Sequence, residues 1–229
     1  MKSGSVSPAG CEWQPGELPK QITESRVYRA GGYLLIPGLI DEPTLRELIA
    51  EAQTVRLHAR RTALHESDNT EGRGGNPARA YRTGPGGNLQ WRLCGSPAMT
   101  ETIAAVCGIA VEPTGGGSYS YYEQRGDFLA LHRDIVTCDL AMLTCLAQNA
   151  ADGSAGGLLV YPKHAHEPLS SARAASRAAA VRLWSGRGDT VALLGGIVPH
   201  EVVPMAPRQE RIISVMCYRA CPRSESRPG

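Results

Sequence analysis

The chain lacks the features that mark membrane, secreted or nucleic-acid-binding proteins. Its formal net charge is only +2 over 229 residues, so no surplus of positive charge indicates a polyanionic partner such as nucleic acid. The N-terminal stretch MKSGSVSPAGCEWQPGELPK has no apolar core of a signal peptide, and the run GGYLLIPGLI is too short and too broken to span a bilayer. We therefore expect a soluble, cytoplasmic protein with neither a membrane nor a nucleic acid as partner.

Cysteine is present without a recognisable pattern. The seven cysteines are odd in number and irregularly spaced, and no Cys-x-x-Cys pair occurs. This argues against a zinc ribbon or a disulfide framework and favours a reducing compartment.

The composition is that of one ordinary globular domain, with 42% apolar and 20% charged residues. Only one phenylalanine is present, so tyrosine and tryptophan must supply most of the aromatic packing. We expect a flexible tail over residues 1–25, a single domain over 26–222 and a second tail over 223–229. Within the domain, a helical part covers about 40–108 and a β core about 109–219.

Two helices have clear start signals. Asp41 can cap DEPTLRELIAEAQ, and Ser96 can cap SPAMTETIAAVCG, which Gly108 ends. Between them, residues 66–89 are polar and rich in glycine and proline. Loops of this length are usually functional or disordered, so we expect a mobile lid there.

Short strand-like runs separated by turn signals follow residue 109. The runs cover residues 117–123, 127–134, 138–147, 157–161, 189–194, 200–204 and 211–218. Two helices followed by many strands predict a mainly β fold with flanking helices, in which the helices pack on an antiparallel sandwich or jelly roll.

A possible metal site lies in LALHRDIVTCDL. Residues i and i+2 of a strand share a face, so His132 and Asp134 project together while Arg133 points away. His200 begins a later apolar run and offers a third ligand. Two histidines and one carboxylate on one face of a metal are typical of non-haem Fe(II) oxygenases.

The other histidines fit surface positions better. His164 and His166 are also spaced i, i+2 and could bind zinc, but their proline-flanked loop favours solvated side chains. His58 and His65 flank the end of the first helix and the polar loop, and we expect them at the surface.

Arg211 opens the apolar run RIISVMCY. A turn at APRQ would make residues 200–205 and 211–218 an antiparallel hairpin, which brings Arg211 to about 10 Å from His200 at strand rise. A guanidinium there could hold the far carboxylate of a metal-chelating dicarboxylic acid. The alternatives are an ordinary salt-bridged or solvated arginine, and Arg208 in the turn as a rival.

Four segments in order carry a resemblance to a known family: YYEQRGDFLALHRD, AGGLLVYP, GRGDTVALLGGIVPHEVVPM and RIISVMCY. The chain resembles the Fe(II)/2-oxoglutarate-dependent oxygenases of the double-stranded β-helix (jelly-roll, cupin-like) fold. The stretch GGYLLIPGLIDEPTLRELIAEA is similar to the N-terminal part of phytanoyl-CoA hydroxylase and prolyl hydroxylase-like members.

The resemblance implies Fe(II), 2-oxoglutarate and O2 as cofactors or cosubstrates. It assigns iron to His132, Asp134 and His200, and the oxoglutarate carboxylate to Arg211. The tyrosine that often aids oxoglutarate binding has no single match, and Tyr122 and Thr144 are candidates. Related halogenases replace the iron-binding carboxylate with a small residue, so Asp134 favours oxygenation, with desaturation or ring closure left open.

The substrate is the least determined feature. A compact domain without a basic patch favours a small molecule, such as an amino acid or a natural-product intermediate. Arg73, Arg79 and Arg82 could meet an anionic substrate group or could be solvated loop charges. Two other functions stay open: a non-catalytic cupin-like binding or sensor module, and a metal-dependent isomerase or hydrolase without oxoglutarate.

Overall fold

A computed structural model describes residues 18–65, 73–149 and 155–221. Within these ranges the α-helices are α1 (Lys20–Thr23), α2 (Arg26–Arg29), α3 (Glu42–Arg56), α4 (Asn88–Cys94), α5 (Pro97–Cys107) and α6 (Leu169–Ala174). The strands are β1 (Tyr33–Ile36), β2 (Arg60–Leu64), β3 (Arg79–Pro85), β4 (Val111–Tyr122), β5 (Phe128–His132), β6 (Leu140–Gln148), β7 (Leu158–Val160), β8 (Val181–Leu183), β9 (Thr190–Leu193), β10 (His200–Val202) and β11 (Arg211–Ala220). No helix in the described ranges is long and apolar enough to cross a membrane.

The two helices with start signals form as expected. The Asp41 carboxylate accepts a hydrogen bond of 2.8 Å from the Thr44 amide and begins α3. The Ser96 hydroxyl accepts from the Met99 amide at 3.2 Å, and Gly108 ends α5 with a left-handed φ of 71°. Both predictions are confirmed, because these caps depend only on local sequence.

The strands form two antiparallel layers that close into a jelly roll. One layer has the order β1-β9-β6-β11-β4, and the other has the order β5-β10-β7-β8. β3 joins the layers, since its C-terminal half pairs with β4 and its N-terminal residues pair with β5. The fold prediction, a mainly β jelly roll with flanking helices, is confirmed.

The predicted hairpin of the last two strands is wrong. β10 pairs with β5 and β7, whereas β11 pairs with β4 and β6. Successive strands of a jelly roll often enter opposite layers instead of pairing with each other. His200 and Arg211 therefore face each other across the interior, rather than along one hairpin.

The expected long loop over residues 66–89 is also wrong in part. Residues 79–85 form β3, and α4 begins at Asn88. The stretch has no apolar alternation because its side chains on both faces are polar or aromatic, as Arg79, Tyr81 and Arg82 show. Residues 66–72 of the predicted lid lie outside the described part of the chain.

The two faces of β4 have different surroundings: one packs against the helices and the other lines a cavity inside the jelly roll. Tyr119 and Tyr121 are buried beneath the helices, where their hydroxyls donate to the Glu51 carboxylate at 2.6 Å and to the Ala52 carbonyl at 2.7 Å. The alternate residues Ser118, Ser120 and Tyr122 line a cavity inside the jelly roll. The period of two along a strand thus gives one face to the helical core and the other to the cavity.

Residues 18–25 differ from the loose tail expected there. They include α1, and Ile22 is fully buried in the main core cluster. The sequence signal was weak because a four-residue helix shows no periodicity. Residues 1–17 and 222–229, the rest of both predicted tails, lie outside the described residues.

The structure joins Cys138 and Cys217 in a disulfide. We expected reduced cysteines, so this pair departs from the prediction, although a single bond is not a disulfide framework. The two residues are 79 positions apart, with Cα atoms 5.1 Å apart, because Cys138 comes just before β6 and Cys217 lies on its neighbour β11. Sequence spacing could not show that proximity.

Candidate metal centre and cavity

His132, Asp134 and His200 converge at one point inside the jelly roll. β5 and β10 are neighbours, and His132 pairs directly with His200 across them. One ligand atom from each of the three residues lies within 4.8 Å of the others. The Asp134 Oδ1 atom is 3.7 Å from His132 Nε2 and 3.6 Å from His200 Nε2. The structure therefore brings together the three residues that the sequence singled out. Asp134 lies two residues after the end of β5, however, so it is not in the predicted strand.

Both imidazoles are held in the orientation that a metal ligand needs. The Nδ1 atom of His132 lies 2.9 Å from the Ala130 carbonyl, and that of His200 lies 2.9 Å from the Val198 carbonyl. Because a carbonyl can only accept, each Nδ1 carries the proton and donates it. Each Nε2 lone pair is then free to bind a metal ion.

The two histidines differ in how readily they take up a proton. Burial, together with His200, holds the pKa of His132 below its ordinary value, which favours the neutral ligand form. Burial alone would lower the pKa of His200, but Asp134 outweighs it and raises that pKa, so metal binding at His200 competes with protonation. Burial alone would raise the pKa of Asp134, but His200 and His132 outweigh it and hold that pKa well below its usual range. Asp134 Oδ2 is buried and has no hydrogen-bond partner among the described residues. An orphaned carboxylate oxygen beside two free imidazole nitrogens fits a divalent metal such as iron.

Gly195 makes room for Asp134. The Asp134 amide donates to the Gly195 carbonyl at 2.8 Å. A Cβ atom at position 195 would collide with Asp134 Oδ2 and would lie 3.3 Å from the His200 ring. The glycine is therefore required by the close approach of the carboxylate.

We predict that Gly195→Ala weakens metal binding much more than it weakens folding. The added methyl group must displace the Asp134 carboxylate, and misplaced ligands lose affinity by about tenfold or more. Gly95→Ala is the matched control, because Gly95 is exposed and its nearest non-neighbouring atom is 3.4 Å from the added Cβ. Metal titration by calorimetry measures both variants. Equal affinities for wild type and Gly195→Ala would contradict this role.

The triad faces a cavity of about 560 Å³. Its wall is largely apolar, with Leu129, Leu143, Leu158, Val202, Ile213 and Val215 among the lining residues. The polar or charged lining residues other than the triad include Asn76, Arg79, Ser118, Ser120, Arg133 and Arg211. A concave apolar cavity with a few converging polar groups is typical of a small-molecule site.

Arg211 lies in this cavity with its side chain buried, 3% exposed. Its Nη1 donates to the Gly156 carbonyl at 2.6 Å, while its Nε has no partner within the described ranges. No carboxylate of the described residues forms an ion pair with it. Burial lowers the pKa of Arg211, yet a guanidinium remains charged. Such a group is costly unless an anion meets it.

Tyr122 stands opposite Arg211 in the pairing of β4 with β11 and also lines the cavity. Its ring stacks on Tyr81, with ring centroids 4.9 Å apart. Burial and the neighbouring Tyr81 raise the pKa of Tyr122 well above its ordinary value, so its phenol stays neutral. The structure thus brings the candidate Tyr122 next to Arg211.

Thr144 and Arg82 do not line the cavity. Thr144 is fully buried with its hydroxyl 2.9 Å from that of Thr190, whereas Ala141 and Leu143 of the same strand line the cavity. Arg82 donates to the carbonyls of helix α3 and its following turn, at Arg56 and Ala59. Thr144 and Arg82 lie on the faces of their strands that point away from the cavity, because alternate residues of a strand face opposite sides.

The other two candidate arginines, Arg73 and Arg79, have different surroundings. Arg73 forms an ion pair with the buried Asp139 and donates to the Val136 carbonyl, so it is engaged by the protein. Arg79 lines the cavity.

The remaining candidates lie elsewhere. His58 and His65 are exposed, as expected. His164 pairs with Glu167 at 2.7 Å and His166 meets the Tyr28 hydroxyl at 2.8 Å, so neither is grouped with further ligands in the described ranges. Arg208, the rival of Arg211, is exposed in the turn with a φ of 62°.

The cavity residues that were not singled out from the sequence include Tyr81, Ser118 and Ser120. Tyr81 lies in residues 66–89, where the sequence predicts a loop. The serines alternate with the buried Tyr119 and Tyr121, so the pattern SYSYY was the available signal for a polar face.

No protein-family model matches the sequence, and no curated protein matches it. Solved structures do match. The non-haem α-ketoglutarate-dependent epimerase SnoN from nogalamycin biosynthesis is 16% identical with a TM-score of 0.64, over 87% of this chain and 82% of SnoN. A Pseudomonas putida prolyl-4-hydroxylase is 14% identical with a TM-score of 0.58, over 86% of this chain and 96% of that one.

A third match is EvdO2 from Micromonospora carbonacea, solved with 2-oxoglutarate. It is 16% identical with a TM-score of 0.57, over 93% of this chain and 96% of EvdO2. At these identities the similarity shows the fold. The chain has the double-stranded β-helix fold of the Fe(II)/2-oxoglutarate oxygenases, and the resemblance indicated by its motifs is confirmed at that level.

Proposed function

We propose that the protein is an Fe(II)- and 2-oxoglutarate-dependent oxygenase that hydroxylates, desaturates or cyclises a small molecule. One observation carries the proposal. A His-Asp-His triad and a buried arginine that pairs with no carboxylate of the described chain line the same apolar cavity. The triad alone fits any divalent metal site, and the arginine alone fits any anion, but a dicarboxylic acid that chelates a metal needs both.

In this proposal, different residues bind the iron and the oxoglutarate. His132, Asp134 and His200 would hold the iron through two imidazole nitrogens and one carboxylate oxygen. Arg211 would bind the far carboxylate of oxoglutarate through its Nε and neighbouring Nη, since its other Nη already donates to Gly156. When bound, the iron supplies O2 activation coupled to oxidation of oxoglutarate.

The apolar wall supports this role by excluding water. Leu143, Leu158 and Val202 pack in or against the interior cluster that also contains Tyr122. A charge pair between Arg211 and a carboxylate is stronger in such a surrounding than in water.

Size and similarity support a small-molecule substrate. The cavity volume of about 560 Å³ lies in the range of small-molecule sites. SnoN has been solved with Fe3+, α-ketoglutarate and nogalamycin RO. A Trichoplax adhaerens prolyl hydroxylase with the same fold has been solved with a peptide fragment, so fold similarity alone does not decide the substrate class.

An anaerobic titration tests the proposal. We expect Fe(II) followed by 2-oxoglutarate to produce a weak visible charge-transfer band that saturates at one equivalent of each. Succinate alone, which lacks the keto group, should produce no band. Absence of the band with Fe(II) bound would overturn the proposal and favour a metal-binding sensor module or an isomerase or hydrolase without oxoglutarate.

A further inference from the structure

We infer that the substrate is a small organic acid and that Arg79 binds its anionic group. The inference rests on the proposed function and names the substrate class of that site. It comes from the charges that line the cavity and from the partners of each arginine.

The cavity has more positive charge than its cosubstrate can neutralise. Three arginines (Arg79, Arg133 and Arg211) and one carboxylate (Asp134) line it, with two histidines as metal ligands. Fe(II) and the oxoglutarate dianion cancel each other in charge. A surplus of positive charge therefore remains in a confined, largely apolar space, and it favours an anionic third ligand.

Of the three arginines, Arg79 is the one available to an anionic substrate. The edge of Arg133 that could bind a carboxylate side-on is filled, because its Nε donates to the Ile197 carbonyl and its Nη2 donates to the carbonyls of His164 and Glu167, at 2.7–3.0 Å. Arg211 is reserved for oxoglutarate in the proposed function.

Arg79 itself meets only neutral acceptors within the described ranges. Its Nε donates to the Thr62 hydroxyl at 2.9 Å, and its Nη1 donates to the Asn76 side-chain oxygen at 2.6 Å. No carboxylate of the described chain pairs with it. Its Nη1 also donates to the Pro77 carbonyl at 3.3 Å. These contacts hold Nε and Nη1 and leave Nη2 without a partner among the described residues. A guanidinium fixed in this way can donate a charged hydrogen bond from Nη2 to a carboxylate or a phosphate.

The register places Arg79 at a useful distance from the metal ligands. Arg79 pairs with Leu129, which precedes His132 by three residues on β5. That separation corresponds to about 10 Å along a strand. A compact acid can therefore place its anionic group on Arg79 and a C–H bond near the triad.

The groups near Arg79 describe the rest of the substrate. Tyr81 follows Arg79 on the cavity face of β3, and Leu129 faces it from β5. Ile135, which is 55% exposed, adds an apolar side chain to the lining. An acid with an apolar body fits these surroundings better than a polyol or a peptide amide.

Binding of matched acids and amides tests the inference. The probes are straight-chain and phenyl-substituted carboxylates of increasing length, the phosphonates of the same lengths, and the amide of each carboxylate. Calorimetry measures their binding to anaerobic enzyme saturated with Fe(II) and 2-oxoglutarate, so that the acids do not compete for Arg211. The variants are Arg79→Gln and the control Arg92→Gln, since Arg92 is exposed on α4 and lies outside the cavity lining.

We expect at least one acid to bind wild type and Arg92→Gln about tenfold or more tightly than its amide. In Arg79→Gln we expect this preference to disappear while the amide binds as before. The comparison of carboxylates with phosphonates identifies which anion is preferred. If no acid is preferred over its amide, or if the preference survives in Arg79→Gln, the inference is overturned.

The charge-transfer band, recorded in the same samples, separates this inference from the proposed function. A normal band in Arg79→Gln with loss of acid preference supports both. A normal band without any acid preference overturns only the substrate class. An absent band in wild type overturns the oxygenase proposal itself. Thermal unfolding of each variant verifies that it is folded.

Discussion

Asp134→Ala should abolish Fe(II) binding at micromolar concentrations while leaving the protein folded. Asp134 supplies the only carboxylate of the triad, and its Oδ1 lies near both histidine Nε2 atoms. Loss of groups that merely orient a ligand already costs about 10–100-fold in metal affinity, so loss of the ligand should cost at least as much. Anaerobic calorimetry with Fe(II) measures the change.

The control and the isosteric variant isolate the cause. Glu101→Ala removes an exposed carboxylate on α5 and should bind Fe(II) like wild type. Asp134→Asn retains the shape and loses the charge, and it should also bind poorly. A saturating metal that binds only the folded state stabilises it by about 2.7 kcal/mol at 100 times its Kd. Metal should therefore raise the unfolding temperature of wild type and not that of Asp134→Ala. Wild-type affinity in Asp134→Ala would remove the triad as the metal site.

Arg211→Ala should weaken 2-oxoglutarate binding by about 2–4 kcal/mol, the scale for removing one partner of a desolvated charge pair. Iron binding should stay nearly intact, because Arg211 begins β11 and the ligands come from β5, β10 and the residues after β5. The variant should fold, since removal of a buried guanidinium that pairs with no described carboxylate leaves no uncompensated charge. The anaerobic charge-transfer titration gives the apparent oxoglutarate affinity.

Two further variants define the role of position 211. Arg211→Lys should recover only part of the affinity, because an ammonium group cannot reproduce the planar guanidinium fork. Arg208→Ala should bind oxoglutarate like wild type, since Arg208 is exposed in the turn before β11. If Arg208→Ala lost affinity and Arg211→Ala did not, the assignment of the oxoglutarate carboxylate to Arg211 would be wrong.

Both predictions concern residues that reach one cavity from opposite layers of the jelly roll. The sequence predicted the same-face pair His132 and Asp134 from strand periodicity alone, and His200 from its position in a later strand. The structure explains their convergence by the pairing of β5 with β10. Arg211 reaches the same cavity from the opposite layer, through the pairing of β11 with β4 and β6. The predicted hairpin brought Arg211 near the metal ligands through a strand pairing that the structure does not contain.

The face of the strand on which a residue lies determined which of the other candidates could reach the cavity. Arg79 and Arg82 both lie on β3, yet only Arg79 has the cavity-facing parity. The sequence could not assign these faces, because the glycine, proline and polar residues of 66–89 predict a loop. Thr144 failed for the same reason on β6, where Leu143 faces the cavity.

The sequence by itself determined the features that depend on near neighbours along the chain. These are the caps of α3 and α5 and the strand runs after residue 109. Caps and strand alternation arise from hydrogen bonds and side-chain directions within a few residues, so a local pattern is enough to predict them. Only the tertiary structure decided the strand order, the place of β3 between the layers, the Cys138–Cys217 bond and the contacts of the Arg79 guanidinium. Each of these depends on which distant segments pair, and that choice is made by burial of the whole sheet rather than by any local pattern.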